Sequence, residues 1–290
     1  MKRCIVLISL VSITISKDII LSKYPCYKPT SQHMNYRNAR IVGGYDAKRE
    51  NTLYMGVLTR SGGNVFCGSS VISEKFLIVA AHCLCNSQNK IMMPNQMRVY
   101  VGINKISEIN ANENNELNKA LEVFVEKIII HPNYKCGKKT DTDIALLQLK
   151  RAIIFNENIR PVCLEGDDND MSSHAVVSGF GLTNENFEIA IKPEILQSAI
   201  VELWSNEECQ TSYANINKSF VISNRQICAG GRNGHSDSCY SDSGGPLIDS
   251  ISGNLIGIVS NGIGCGRKGL PGVYVRVSKY KQWIQQHVLL

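Results

Sequence analysis

The sequence predicts an all-β chain of two antiparallel β-barrels, divided near residues 151–164, with a short helix at the C-terminus. Three observations carry this. Short runs rich in β-branched residues at 55–58, 69–72, 77–80, 98–101, 123–130 and 144–149 are separated by Gly, Asn and Ser clusters, the spacing expected of barrel strands. A second set follows at 175–178, 195–203, 246–249, 255–260 and 272–277, beyond a connector that contains Pro161 and little pattern. At the end the period changes: Tyr280, Trp283, Ile284, His287 and Val288 recur at helical spacing and predict an amphipathic helix docked on a barrel.

The 290 residues, 43% of them apolar, suffice for one domain or two small ones with proper cores. The net charge of +6 lies in the leader, where Asp18 is the one acid among seven basic residues before Ile41. Residues 41–290 are formally neutral, which excludes a nucleic-acid-binding role for the body. Met1-Lys2-Arg3 followed by the apolar run 4–15 has the pattern of a secretory signal peptide over 1–16 and is too short to span a membrane. No later stretch reads as transmembrane. Loss of the signal removes Cys4 and leaves ten cysteines, an even number suited to disulfides in a secreted protein. Residues 17–40 are polar and basic, carry Pro25, Cys26 and Pro29, and read as a propeptide ahead of a 41–290 domain.

The chemistry concentrates in Asp237-Ser238-Cys239-Tyr240-Ser241-Asp242-Ser243-Gly244-Gly245-Pro246. A hydrolytic serine needs a base for its proton and donors for the charge it creates, and small residues let backbone N–H groups turn inward around it. Alone, Gly-Gly-Pro is equally a turn between strands. Upstream, however, Ala80-Ala81-His82-Cys83 ends one apolar strand and Thr142-Asp143-Ile144-Ala145-Leu146-Leu147 begins another. The order His82, Asp143, Ser243 is one of the known orders of a Ser-His-Asp triad.

With these motifs, and with Arg40-Ile41-Val42-Gly43-Gly44, the chain resembles the chymotrypsin-like serine proteases from residue 40 to the C-terminus. The resemblance implies that the triad assembles between the barrels, with His82 as general base and then acid, and Asp143 orienting the imidazole. Asp141 lies two positions away, and the following Ile-Ala-Leu-Leu run favours Asp143. The oxyanion donors would be the N–H groups of Ser243 and Ser241. Ser241 stands where relatives have glycine, so the outcome is a working enzyme with altered inhibitor sensitivity or a weakened one; the intact triad and activation sequence favour the first. Asp237 would lie at the base of the primary pocket and select Arg or Lys, with Gly262 and Gly272 keeping that pocket open. Asn261 and Phe180 each replace a tryptophan, departures expected to alter the cleft.

By the same resemblance, cutting after Arg40 frees the Ile41 ammonium to pair with Asp242, and an uncut chain leaves Asp242 unsatisfied and its loop misplaced. The implied disulfides are Cys67–Cys83, Cys209–Cys228, Cys239–Cys265 and a propeptide tether Cys26–Cys163, leaving Cys85 with Cys136. Ala175 and Asp249 occupy positions where some relatives have a further bridge. Relatives bind calcium near 107–119, where Glu108, Glu113 and Glu116 offer oxygens, but Ile103 replaces their first carboxylate, so no metal and no cofactor are expected. Asn217-Lys218-Ser219 is a glycosylation sequon.

The expected protein is a secreted, monomeric endopeptidase made as a zymogen. Its partners would be protein or peptide substrates, an activating protease and protein inhibitors, with no nucleic-acid or membrane partner. The alternative is a non-catalytic or weakly active homologue that acts as a binding partner or cascade cofactor.

Overall fold

The computed structural model describes residues 24–28, 44–60, 63–109, 120–138, 140–164, 168, 171–216 and 220–289. The first half builds a seven-stranded antiparallel sheet from β2 (Met55–Thr59), β3 (Val65–Val71), β4 (Phe76–Val79), β5 (Arg98–Val101), β6 (Leu121–Val123), β7 (Val125–Ile130) and β8 (Ala145–Leu149). Their order is β6-β5-β2-β3-β4-β8-β7. The outer strands β6 and β7 are consecutive in the chain, separated by Phe124 alone, so the predicted 123–130 strand is bent and serves both edges. The sheet therefore curls into a half-barrel whose two edges are joined through the chain at Phe124, and with the closed second sheet it gives the expected pair of antiparallel barrels.

The second half does close. β9 (His174–Gly179), β10 (Gln197–Trp204), β11 (Gln226–Ala229), β12 (Pro246–Asp249), β13 (Leu255–Asn261) and β14 (Gly272–Arg276) run in the order β10-β11-β14-β13-β12-β9, and β9 pairs back onto β10. The two-residue β1 (Tyr45–Asp46) adds to β10. In this register Asp249 faces Ala175 across β12 and β9, the two positions expected to lie opposite one another. Leu77, Ile78, Leu146 and Leu147 fill the first core and Val177, Val201, Leu247 and Tyr274 the second, all fully buried or nearly so.

Among the described residues two α-helices complete the fold. α1 (Asn206–Ala214) starts at Ser205, whose hydroxyl accepts the Glu208 N–H while the Glu208 carboxylate accepts the Ser205 N–H. α2 (Lys281–Val288) buries Ile284 against the first core, and Tyr280 and Trp283 pack their rings on His131. Among the described residues no helix is long and apolar enough to cross a membrane.

All five disulfides form: Cys26–Cys163, Cys67–Cys83, Cys85–Cys136, Cys209–Cys228 and Cys239–Cys265. The segment 24–28 lies on the connector between the halves. Tyr27 donates its N–H to Pro161 O at 2.7 Å and bridges to Val162, and the Tyr24 ring meets Phe155 edge-on.

Candidate active site

β4 ends at Val79, and the single 3-10 turn Ala81–Leu84 then presents His82 at the boundary between the halves. Asp143 lies two residues before β8 and is buried. Its Oδ1 accepts the His82 backbone N–H at 2.8 Å, and its Oδ2 lies 2.7 Å from His82 Nδ1. Ser260, at the end of β13, donates its hydroxyl to the same Oδ2 at 2.7 Å. Asp141 instead pairs with Arg225 at 3.3 Å on the surface.

The electrostatics follow from this contact. Burial pulls the His82 pKa down, but the Asp143 charge and hydrogen bond outweigh it and leave the pKa raised. Burial pushes Asp143 up, but His82 and the Ser260 hydroxyl hold it below the ordinary carboxylate range. With Asp143 fixed on Nδ1, the other ring nitrogen, Nε2, faces away from the carboxylate and lies 3.9 Å from Cys83 Sγ.

Ser243 comes from the second half, just before β12. Its carbonyl accepts the Gly68 N–H from β3 at 2.8 Å, stitching the two halves together beside the Cys67–Cys83 disulfide. Gly244 has φ +80°, and a Cβ there would meet Val79 at 2.8 Å, so only glycine lets the loop come this close to the strand that delivers His82.

Ser241 adopts φ +76°, the left-handed conformation natural to the glycine it replaces. The carbonyl of Tyr240 accepts the Leu182 N–H at 2.9 Å. A trans peptide points its C=O and N–H in opposite directions, so this bond turns the Ser241 N–H the other way. Among the described residues, the N–H groups of Ser241 and Ser243 are both without an acceptor. Asp242 between them is fully buried and accepts the Gly181 N–H at 2.7 Å and the Cys239 N–H at 2.8 Å. A Cβ at either Gly179 or Gly181 would collide with its carboxylate. Asp242 thus has two backbone N–H groups as partners. It nevertheless has no counter-charge among the described residues, and burial pushes its pKa up to about 6. Arg40 and Ile41 lie outside the described residues, as do Glu113, Glu116 and the Asn217 sequon.

A pocket of about 170 Å³ opens beside Ser243, lined by Asp237, Ser238, Tyr240, Asn261, Gly262 and Gly272. Asp237 is 3% exposed and accepts the Ser238 N–H at 2.8 Å and the Gly266 N–H at 3.0 Å. Burial pushes its pKa up to about 7 against the pull of these donors, so it is a carboxylate in want of a cation. A Cβ at Gly272 would lie 2.8 Å from its Oδ1, so any side chain there would fill the pocket floor. The Asn261 side chain accepts the Gly262 N–H at 2.9 Å and offers no flat apolar surface. Phe180 is 2% exposed and packs with Met55, Val57 and Leu196; its departure from tryptophan therefore concerns the core and not the cleft, contrary to expectation.

As for metals, Glu108 is buried and engaged by the Arg49 guanidinium and the Asn104 N–H. Beside His82, the sulfurs of Cys67 and Cys83 are committed to their disulfide. Ser260 and the Leu182–Tyr240 bond escaped the sequence reading. Ser260 left one trace, as the polar residue closing the apolar 255–260 run.

The double-barrel fold, with this His, Asp and Ser constellation at the junction of its halves, defines a chymotrypsin-like serine protease. The trypsin family model matches residues 41–284, and the chain belongs to that family. It is 35% identical over 226 residues to trypsin-1 of Astacus astacus, covering 77% of this chain and 88% of that one. It is 32% identical over 251 residues to trypsin 5G1 of Aedes aegypti, covering 86% and 85%. With coagulation factor XI of Bos taurus it shares 38% identity over 254 residues, covering 84% of this chain and 37% of the relative.

Proposed function

We propose that this serine protease is a secreted endopeptidase, made as a zymogen activated after Arg40, that cuts peptide bonds after Arg or Lys. The observation that carries the specificity is Asp237, a buried carboxylate at the floor of a pocket adjoining Ser243, whose donors are backbone N–H groups with no cation among the described residues. A guanidinium or ammonium entering that pocket gains a charge-assisted bond and removes the burden of an unpaired buried charge.

In this reading Ser243 Oγ attacks the scissile carbonyl as His82 Nε2 takes its proton. Asp143, held by Ser260 and the His82 N–H, fixes the tautomer and stabilises the imidazolium. The tetrahedral oxyanion sits between the free N–H groups of Ser241 and Ser243. His82 then protonates the leaving amine, and water hydrolyses the acyl-enzyme by the same steps. Activation supplies the Ile41 ammonium to Asp242. The Cys26–Cys163 bond keeps the propeptide attached after the cut.

The reading is tested on protein cut after Arg40, with Ile41 verified by N-terminal sequencing, against matched peptides ending in Arg, Lys, Phe or Ala. Arg and Lys peptides turn over at least a hundred-fold faster than the others, and Ser243→Ala abolishes the activity. Preference for Phe, or indifference among the four, would contradict the role given to Asp237.

A further inference from the structure

The loop that follows Gly181 is tied to the pocket at three points. Leu182 N–H holds the Tyr240 carbonyl at 2.9 Å, and the Phe187 ring rests on the Tyr240 ring with centroids 4.9 Å apart. The third tie crosses to the opposite wall: Glu185 Oε2 accepts the Cys265 N–H at 3.1 Å and the Arg267 Nε–H at 2.8 Å. Cys265 is bonded to Cys239, and the next N–H along, that of Gly266, donates to Asp237 at 3.0 Å. One carboxylate thus fixes the peptide segment that holds the pocket's own carboxylate. Gly264, at φ +74°, lies directly beneath, where a Cβ would collide with both the Glu185 carboxylate and the Arg267 guanidinium. The backbone is shaped around this pair.

We infer that Glu185 is a positioning residue for substrate specificity, a latch that holds the 264–267 wall against Asp237 and so sets how well the pocket grips a cationic side chain. The inference rests on the Arg/Lys reading above. Glu185 touches neither the triad nor the oxyanion donors, so the latch acts on binding and leaves the chemical step alone. The Glu185 and Arg267 side chains are 35% and 50% exposed. Solvent screening at such a site limits the effect to roughly three- to ten-fold.

The test measures the benzamidine inhibition constant, together with KM and kcat on an Arg peptide, for activated wild type, Glu185→Ala, Glu185→Gln and Arg267→Ala. Glu188→Ala, an exposed carboxylate of the same loop, is the control. Glu185→Ala weakens benzamidine and raises KM by the same roughly three- to ten-fold, with kcat within two-fold of wild type. Glu185→Gln, which keeps an acceptor for Cys265 N–H, and Arg267→Ala fall between the two. A Glu185→Ala enzyme indistinguishable from Glu188→Ala, or one that loses kcat with benzamidine binding unchanged, overturns the latch. A wild type that neither binds benzamidine nor cuts after Arg overturns the Arg/Lys reading and the latch with it.

Discussion

Ser241 puts a side chain at φ +76°, where an L-residue loses about 1–2 kcal/mol relative to its favoured conformations. The strain is tolerated because the neighbouring peptide is pinned, with Tyr240 O on Leu182 N–H, and the resulting orientation leaves the Ser241 N–H free beside that of Ser243. In the proposed oxyanion role the donor is then already turned toward its acceptor, and glycine would have little to add to catalysis. Ser241→Gly is expected to change kcat/KM by less than about three-fold, and stability by no more than about 1 kcal/mol, as relief of strain offsets the added freedom of the unfolded chain. Steady-state kinetics and urea denaturation check both. A gain of a hundred-fold, about what one lost oxyanion donor costs, would mean that the serine misdirects its N–H. The identity of this residue was legible in the sequence as a departure from the family. Its tolerance was not, because the outcome depends on the bond from Leu182 N–H to the preceding carbonyl, that of Tyr240, far away in sequence.

At the scale of elements, the loop 237–245 is held by what it buries. Gly179 and Gly181 at the end of β9 leave room for the Asp242 carboxylate, and two N–H groups receive it, but no positive charge is at hand among the described residues. The Asp242 pKa is raised from 3.8 to about 6, so the folded chain binds this proton more tightly than the unfolded one. Folding stability of the uncut protein therefore falls as pH rises from about 4 to about 6, by roughly 3 kcal/mol in all. An Ile41 ammonium beside Asp242 removes that cost. Burial raises the Asp237 pKa with the same sign, and the neighbouring Asp242 charge adds to that rise. The melting temperature of cut protein should exceed that of uncut protein by several degrees at pH 7, with the gap closing toward pH 4. Equal melting temperatures across this range would contradict the pairing of Ile41 with Asp242. Among the elements, β5 and β12 were legible to the residue because short apolar stretches, Val99-Tyr100-Val101 and Leu247-Ile248, are closed off by Gly102 and by Asp249-Ser250. α1 was not, since its helical face buries only Cys209 and Tyr213 and its Ser205-x-x-Glu208 capping box was overlooked. β11 is a four-residue strand whose place is set by the Cys209–Cys228 bond and by pairing with β14, neither of which is local.

For the whole molecule, the two antiparallel β halves and the meeting of His82 with Asp143 were readable from strand spacing and motifs, since both depend on local pattern. The different closure of the two sheets was not, because it rests on β9 returning to β10 and on a bend at Phe124. The halves meet where Gly68 N–H binds Ser243 O, and the site works only if His82 and Asp143 from one side face Ser243, Ser241 and Asp237 from the other. A p-nitrophenyl guanidinobenzoate titration interrogates this assembly in one step. The guanidinium must enter the Asp237 pocket, Ser243 must attack the ester, and the acyl-enzyme must accumulate. Protein cut after Arg40 is expected to release a burst of one nitrophenol per molecule and to carry the acyl group on Ser243 by mass spectrometry, while uncut protein and Ser243→Ala give no burst. Cut protein with Ile41 exposed and no burst would contradict the account, and would return the chain to the class of homologues that bind without catalysing.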